Sequence, residues 1–309
     1  MAMLLCDHGC DVDVIAVTTV AGNVDVDQAT RNVRLILGAY GRMDIPVYEG
    51  APKPILGERQ DATEWHGPDG LGGADLSDVP VGGAMSDESA VFALVRMLRE
   101  AARTGDKVEL LTIGPMTNVA LAVRIDPSIV KGVSKFYFMG GTDAAMGNCT
   151  PTAEFNVFGD PEAAAVCLEC FGADDHVTMV SWEATVRHAL PWEWVEAWRS
   201  PATARAGFLK KVTQFLIDVC KKELPETGFL LPDPLAMAVV LDPAIVTRQT
   251  VRPAAIELAG KHSRGLVVLD WRSGVGHFTG EVPKGFTLLK VVQDVDMDRF
   301  KELLSRACV

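Results

Sequence analysis

The chain has 309 residues, 48% hydrophobic and 23% charged, which is enough to bury a sizeable core and ordinary for a soluble globular protein. A formal net charge of −12, with no basic cluster longer than doublets such as Lys210-Lys211 and Lys221-Lys222, disfavours a nucleic-acid partner. No apolar run reaches the roughly 18 to 20 residues that a membrane-spanning helix needs, so no membrane partner is expected.

The elements follow in a βαβ rhythm. "VDVIAVTTV" (12–20) reads as a buried strand, "VDQATRNVRLILGAYGR" as an amphipathic helix and "IPVYEG" as a second strand. A Gly-rich polar stretch (64–83) precedes helix "ESAVFALVRMLREAARTG", strand "VELLTI", helix "MTNVALAVRI" and strand "KFYFM". Then come a helix at 161–171, strand "HVTMV", a long helix near 203–222 and a shorter one starting at Asp233. Strands "RPAAIEL", "GLVVLDW" and "FTLLKVV" and a closing helix "DMDRFKELLSRA" complete the chain. Single helices between strands predict an α/β fold over 1–309 as one domain: an open, mostly parallel sheet with helices on both faces. Ligands in such sheets bind outside the carboxyl ends of the strands, so the βα loops are the places to search.

Seven cysteines cannot all pair within one molecule, and no basic, apolar leader with a cleavage site opens the sequence, so a cytoplasmic, reducing location is expected. Cys167-x-x-Cys170 lies in a helical pattern with no second such pair to complete a zinc site, and reads as structural.

Four loops could carry chemistry. In "TTVAGNV", Asn23 follows a strand and offers both an amide donor and an acceptor; alone it would be a turn residue. In "MGGTDAAMGNCTPTAEFNVFGDPEAA" (139–164), Asn148, Glu154 and Asn156 fall within nine residues beside Phe155, a set able to bind several hydroxyls at once, as in a sugar. The alternative is that Glu154 and Asn156 satisfy their own loop backbone. Asp233 begins an apolar helix, where an N-cap is the plain reading. His66 lies in "HGPDGLGG", a Gly-rich run that suits a mobile lid and lacks the pattern of a phosphate-binding loop, so no nucleotide cofactor is implied.

Taken in order, "TTVAGN", "HGPDGLGG", "IGPMTNVALA", "MGG…GN…AEFNVFGDPEAA" and "DPLAMA" resemble the inosine–uridine preferring nucleoside hydrolases over nearly the whole chain. The resemblance implies hydrolysis of the N-glycosidic bond of ribonucleosides to base and ribose, with a Ca2+ ion holding water and ribose hydroxyls and an oxocarbenium-like transition state. It makes Asn23, Asn148, Glu154, Phe155, Asn156 and Asp233 substrate-binding residues, with Asn23 at the pocket floor. Asp233 and the main-chain carbonyl of Ile113 become metal ligands, and His66 a possible catalytic residue of a mobile loop. It also implies a small-molecule nucleoside partner and a homodimer or homotetramer.

Two departures from the family pattern stand out. Where the family has a histidine or tryptophan before the aspartate of the late apolar helix, this sequence has Pro232, which can neither protonate nor stack on a leaving base. Family members also open on a strand ending in D-x-D-x-G-x-D-D-A, which supplies the general base and further calcium ligands. Here "MAMLL" corresponds to the helix after it, so the first strand and the general base are expected to be missing, as in an N-terminally shortened form of a working enzyme. Asp7, Asp11 and Asp13 lead into the next strand, toward the opposite end of the sheet, and are not expected to substitute. Weak or absent calcium binding follows, since calcium takes six to eight oxygens. A non-catalytic ribose-binding or assembly module is the alternative reading. An unrelated hydrolase has no support from a G-x-S-x-G elbow or a zinc motif.

Overall fold

Alternating side chains on one strand divide the core into two halves. The computed structural model describes residues 12–172, 176–272 and 282–308. Strand β1 (Val17–Thr18), helix α1 (Val26–Ala39) and strand β2 (Pro46–Tyr48) form the first βαβ unit, followed by the short helix α2 (Thr63–His66) and strand β3 (Ala84–Ser86). Helix α3 (Ala90–Thr104), β4 (Val108–Thr112), α4 (Thr117–Ile125) and β5 (Val133–Met139) continue the alternation, with α5 (Phe155–Gly159), α6 (Pro161–Phe171), β6 (Val177–Val180), α7 (Trp182–Arg187) and α8 (Trp192–Trp198) after them. Helices α9 (Ala204–Glu223) and α10 (Pro232–Leu241), strands β7 (Val246–Ile256), β8 (Val267–Leu269) and β9 (Thr287–Val295) and helix α11 (Met297–Arg306) follow.

Along β5, Phe136 and Phe138 point to a core half shared with α3, α4 and α6, while Tyr137 and Met139 point to one shared with α9, α10 and α11. This period-two division is what a strand with helices on both faces requires. All four residues of β6 are buried, as suits a central parallel strand. On α3 the apolar stripe Val91, Leu94, Val95 and Leu98 is buried at helical spacing, each large side chain contributing about 1.5–3 kcal/mol. Gly105, in the left-handed conformation, closes that helix.

The α/β architecture with helices on both faces is therefore the one expected, with two corrections. Among the described residues the strands pair as two sheets, β1-β2-β3, all parallel, and β4-β5-β6-β9-β7-β8. In the second, β4, β5, β6 and β9 run parallel, whereas β7 is antiparallel to both β9 and β8. The expected strand at 12–20 is also reduced to Val17–Thr18, because β1 pairs among the described residues only with β2, itself three residues long. The two sheets are joined by Asn118 at the start of α4. Its Nδ2 donates to the Thr19 carbonyl at 2.7 Å and its Oδ1 accepts the Ala51 N–H at 2.8 Å.

The reading of "MAMLL" as a helix, and of Asp7 and Asp11, falls on residues 1–11, outside the described residues. Asp13 is exposed ahead of β1. Cys167 and Cys170 lie on α6 as free thiols, both pushed up by burial and so held in the unreactive protonated form. Among the described residues no helix is long and apolar enough to cross a membrane.

Candidate active site

The loops at the carboxyl ends of β1, β4 and β5 meet at one place. A small crevice is lined by Ala21 and Gly22 after β1, Pro115 and Thr117 after β4, Arg59 and Gln60, and Phe155 and Gly159 of α5. Asn23, next to Gly22, is exposed, and its carbonyl accepts the Ala62 N–H at 3.2 Å, which ties this loop to the start of α2.

Glu154 is the centre of the second loop. Its side chain is 2% exposed. Oε2 accepts the N–H groups of Gly141 at 2.8 Å and Val157 at 3.2 Å, and Oε1 accepts that of Asn156 at 2.9 Å. Glu154 therefore caps α5 and ties it back to the end of β5. The alternative of backbone satisfaction is realised here for Glu154, yet a carboxylate has about four acceptor sites and three are in use. Burial pushes its pKa up to about 7, against the lowering effect of those three N–H groups, and the charge of Asp233 raises it further. Glu154 thus senses the charge of Asp233 although the two are far apart in sequence.

The neighbouring amides are also half-committed. Asn156 Nδ2 donates to the Met139 carbonyl at 3.1 Å, and Asn148 Oδ1 accepts the Phe155 N–H at 2.9 Å. Among the described residues this leaves Asn156 Oδ1 as an acceptor and Asn148 Nδ2 as a donor.

Asp233 stands in the first turn of α10, but Leu231 is the cap residue and Asp233 makes no capping bond, so the N-cap reading is corrected. Pro232 occupies the first helical turn, where a missing N–H costs nothing. Burial pushes the Asp233 carboxyl up to about 6. It has no hydrogen-bond or ion-pair partner among the described residues, which is costly for a group with no other purpose.

His66 is the last residue of α2, half-buried, and burial holds its imidazole below the usual range, so it rests neutral. The Gly-rich run after it is tied down more than a free lid would be. Asp69 accepts the N–H groups of Leu71 and Gly73, Asn32 donates to the Asp69 carbonyl, and Gly72 sits against Phe215 of α9. No hydrogen bond or ion pair among the described residues joins His66 to Glu154 or Asp233. Ile113, just beyond β4, is 38% exposed.

Several further residues position these loops. Asp160, fully buried, accepts from Thr117 Oγ1 at 2.6 Å, Ile55 N at 2.9 Å and Ala163 N at 3.1 Å, pinning the 52–57 loop to α4 and α6. The Asp-Pro step opening "DPEAA" was a readable sign of that cap. Asn118 and Glu183 bridge segments distant in the chain, and nothing local in the sequence signals them.

The implied calcium ion meets a thin donor set. The described residues contain no grouping of three or more His, Cys, Asp or Glu, and Asp233 with the Ile113 carbonyl does not by itself fit an ion that takes six to eight oxygens.

The profile of the family "Inosine-uridine preferring nucleoside hydrolase" matches residues 1–302. The inosine-uridine preferring nucleoside hydrolase of Leishmania major is 33% identical over 273 residues, 88% of this chain and 84% of that protein. The pyrimidine-specific ribonucleoside hydrolase RihA of Escherichia coli O8 (strain IAI1) is 32% identical over 308 residues, 99% of this chain and 93% of RihA. Among solved structures, an inosine-guanosine nucleoside hydrolase superposes with a TM-score of 0.88 at 30% identity, covering 99% of this chain and 94% of that one. A purine-preferring ribonucleoside hydrolase from Gardnerella vaginalis gives 0.84 at 27% identity, covering 99% and 93%. The chain belongs to the inosine–uridine preferring nucleoside hydrolase family, glycosidases acting on N-glycosyl bonds. Coverage of this extent lends no support to a non-catalytic binding or assembly module.

Proposed function

We propose that this chain, as a member of that family, hydrolyses the N-glycosidic bond of a ribonucleoside to free base and ribose, with the ribose held by Asn23, Asn148, Glu154, Asn156 and Asp233. The observation that carries the reading is the pairing of a buried carboxylate, Glu154, with a half-buried one, Asp233, that acts on its charge. Asp233 has no hydrogen-bond or ion-pair partner among the described residues, and its charge raises the Glu154 carboxyl. Acids held largely out of water suit a ligand that supplies hydroxyl donors and a developing positive charge.

In this reading Asn148 Nδ2 donates to a ribose hydroxyl, while Asn156 Oδ1, the unused acceptor site of Glu154 and the Asp233 carboxylate accept hydrogen bonds from ribose hydroxyls. As the bond to the base lengthens, charge grows on the ribose ring, and the two acids stabilise it in a site of low dielectric. Phe155, half-buried, lines the crevice beside the hydroxyl-binding loop. His66 rests neutral and would be a proton donor to the base only after the lid carries it inward and it gains a proton. The relatives' names point to different bases, and Pro232 offers no stacking or protonating group to choose among them. Tight calcium binding is not expected from Asp233 and the Ile113 carbonyl alone. A homodimer or homotetramer is proposed on the family resemblance.

The test is ribose release by the purified 309-residue chain over purine and pyrimidine nucleosides, with and without added calcium. Release above the uncatalysed rate, lost in Asp233→Asn, supports the proposal. No release from any nucleoside in either condition sinks it for this chain.

A further inference from the structure

Glu183 has no place in the set above, yet it is 3% exposed, and its carboxylate is aimed at the backbone of the loop that carries Asn148. Oε2 accepts the Asp143 N–H at 2.8 Å, and Oε1 accepts those of Ala144 at 2.9 Å and Met146 at 3.0 Å. Between them Ala145 stands at a φ of 57°, a left-handed conformation that a residue with a Cβ adopts only when its surroundings impose it.

The same short helix grips the loop twice more. The Trp182 N–H donates to the Gly141 carbonyl at 3.0 Å, and Arg187 pairs with Asp143 at 2.9 Å. Past the clamp, Gly147 donates to the Pro151 carbonyl, and a Cβ there would lie 2.1 Å from the Thr150 carbonyl oxygen, so the backbone has one tight path into Asn148. Asn148 then accepts the Phe155 N–H, next to Glu154, whose own carboxylate holds Gly141. The segment from Gly141 to Asn148 is thus fixed at its first residue by Glu154, in its middle by Glu183, and at its last by Phe155.

We infer that Glu183 is a positioning residue: by clamping Asp143, Ala144 and Met146 it sets the Asn148 amide and, on the ribohydrolase reading on which this rests, ribose affinity. A carboxylate suits the task because it only accepts, so three N–H donors converge on it without competition. An amide at the same place would turn a donor toward one of them, and an aspartate would fall one methylene short.

The experiment compares the full chain with Glu183→Gln, Glu183→Asp and Asn148→Ala, singly and with Glu183→Gln and Asn148→Ala combined. Amide hydrogen exchange reads the clamp directly. In Glu183→Gln the amides of Ala144, Met146 and Phe155 exchange about tenfold faster, while those of Phe136 and Phe138 in β5 are unchanged. The nucleoside KM rises about tenfold with kcat within about threefold, and Asn148→Ala adds nothing further in the double variant. Glu183→Asp, which keeps the charge, moves the same quantities in the same direction by less, and it decides the matter should Glu183→Gln fail to fold. Faster exchange at Ala144 and Met146 with Phe155 unmoved, or fully additive KM effects, overturns the inference. Should the parent chain release no ribose, the ribohydrolase reading fails, and the Phe155 amide still decides whether Glu183 positions Asn148.

Discussion

The Glu154 carboxylate accepts the Gly141 N–H at 2.8 Å, and through that bond the first turn of α5 is locked to the end of β5. Two roles meet in one side chain, since the group proposed to face ribose is also a helix cap. Glu154→Ala leaves three buried N–H groups without an acceptor and is expected to lose about 2–4 kcal/mol in urea unfolding. Glu154→Gln retains one acceptor oxygen, loses about half of that, and lowers ribose release about 100-fold or more because the anion is gone. Comparable activity in the parent and Glu154→Gln would remove this residue from the site.

Stability should fall as pH rises through the site's titration range. The Glu154 carboxyl stands at about 7 in the fold against an ordinary 4.5, and burial is the main cause, with Asp233 adding to it and the Cys149 thiol facing the same charge. Between those two values the folded chain binds more protons than the unfolded one, so unfolding free energy decreases with pH. Asp233, raised from 3.8 to about 6, acts in the same direction over a lower window. Urea unfolding from about pH 5 to about pH 8 should show this decline, with a shallower slope in Glu154→Gln. A slope that is unchanged by the substitution would show that Glu154 does not titrate there.

Asp233→Asn should separate function from stability. Its carboxylate has no partner to lose among the described residues and is charged in the fold only above about pH 6. Replacement by an uncharged isostere removes a half-buried, poorly solvated charge, so the variant is expected to gain about 1 kcal/mol at pH 8 while losing activity. A large loss of stability would mean that Asp233 holds the fold rather than the ligand.

The sequence made the framework legible where one element carried its own period. The helix over 161–171 and the strands "VELLTI", "KFYFM" and "HVTMV" are paired or packed as read, because apolar spacing alone decides them. The length of β1 was not legible, since pairing depends on a neighbour and not on the β-branched run. Helices α7 and α8 are not legible in "SWEATVRHALPWEWVEAWR", where tryptophans at irregular spacing blur the period. Within the site, Glu154 and Asn156 were found as chemical types, but what they already hold was not. Glu183 lies 40 residues from Asp143, and only the fold brings them together.

Asn118 is expected to be the joint most sensitive to change between the two sheets. Its amide takes one bond from the chain after β2 and gives one to the chain after β1, both buried. Leucine, close in size, would leave Thr19 O and Ala51 N unsatisfied and should cost about 3 kcal/mol or more in unfolding. Gly50→Ala tests the same joint from outside, because a Cβ there would lie 2.3 Å from both Asn118 amide atoms. The two losses should be well short of additive in the double variant; full additivity would place them in separate parts of the structure.

The lid can be tested at two adjacent glycines that differ in what a side chain there would meet. Gly72 and Gly73 both have positive φ, 75° and 67°, so alanine at either position costs about 1 kcal/mol of backbone strain. At Gly73 a Cβ meets nothing within 4 Å, whereas at Gly72 it would lie 2.5 Å from Phe215 Cβ on α9. Gly72→Ala must therefore also lift the loop off α9, and with it the Gly72 N–H bond to the His66 carbonyl, now 2.9 Å. Steady-state ribose release and urea unfolding of the two variants are the comparison. Gly73→Ala is expected to keep the parent KM and Gly72→Ala to raise it about tenfold. Equal KM values in the two variants would mean that the seating of this loop on α9 has no part in holding the nucleoside, and His66 would then have no route to the leaving base.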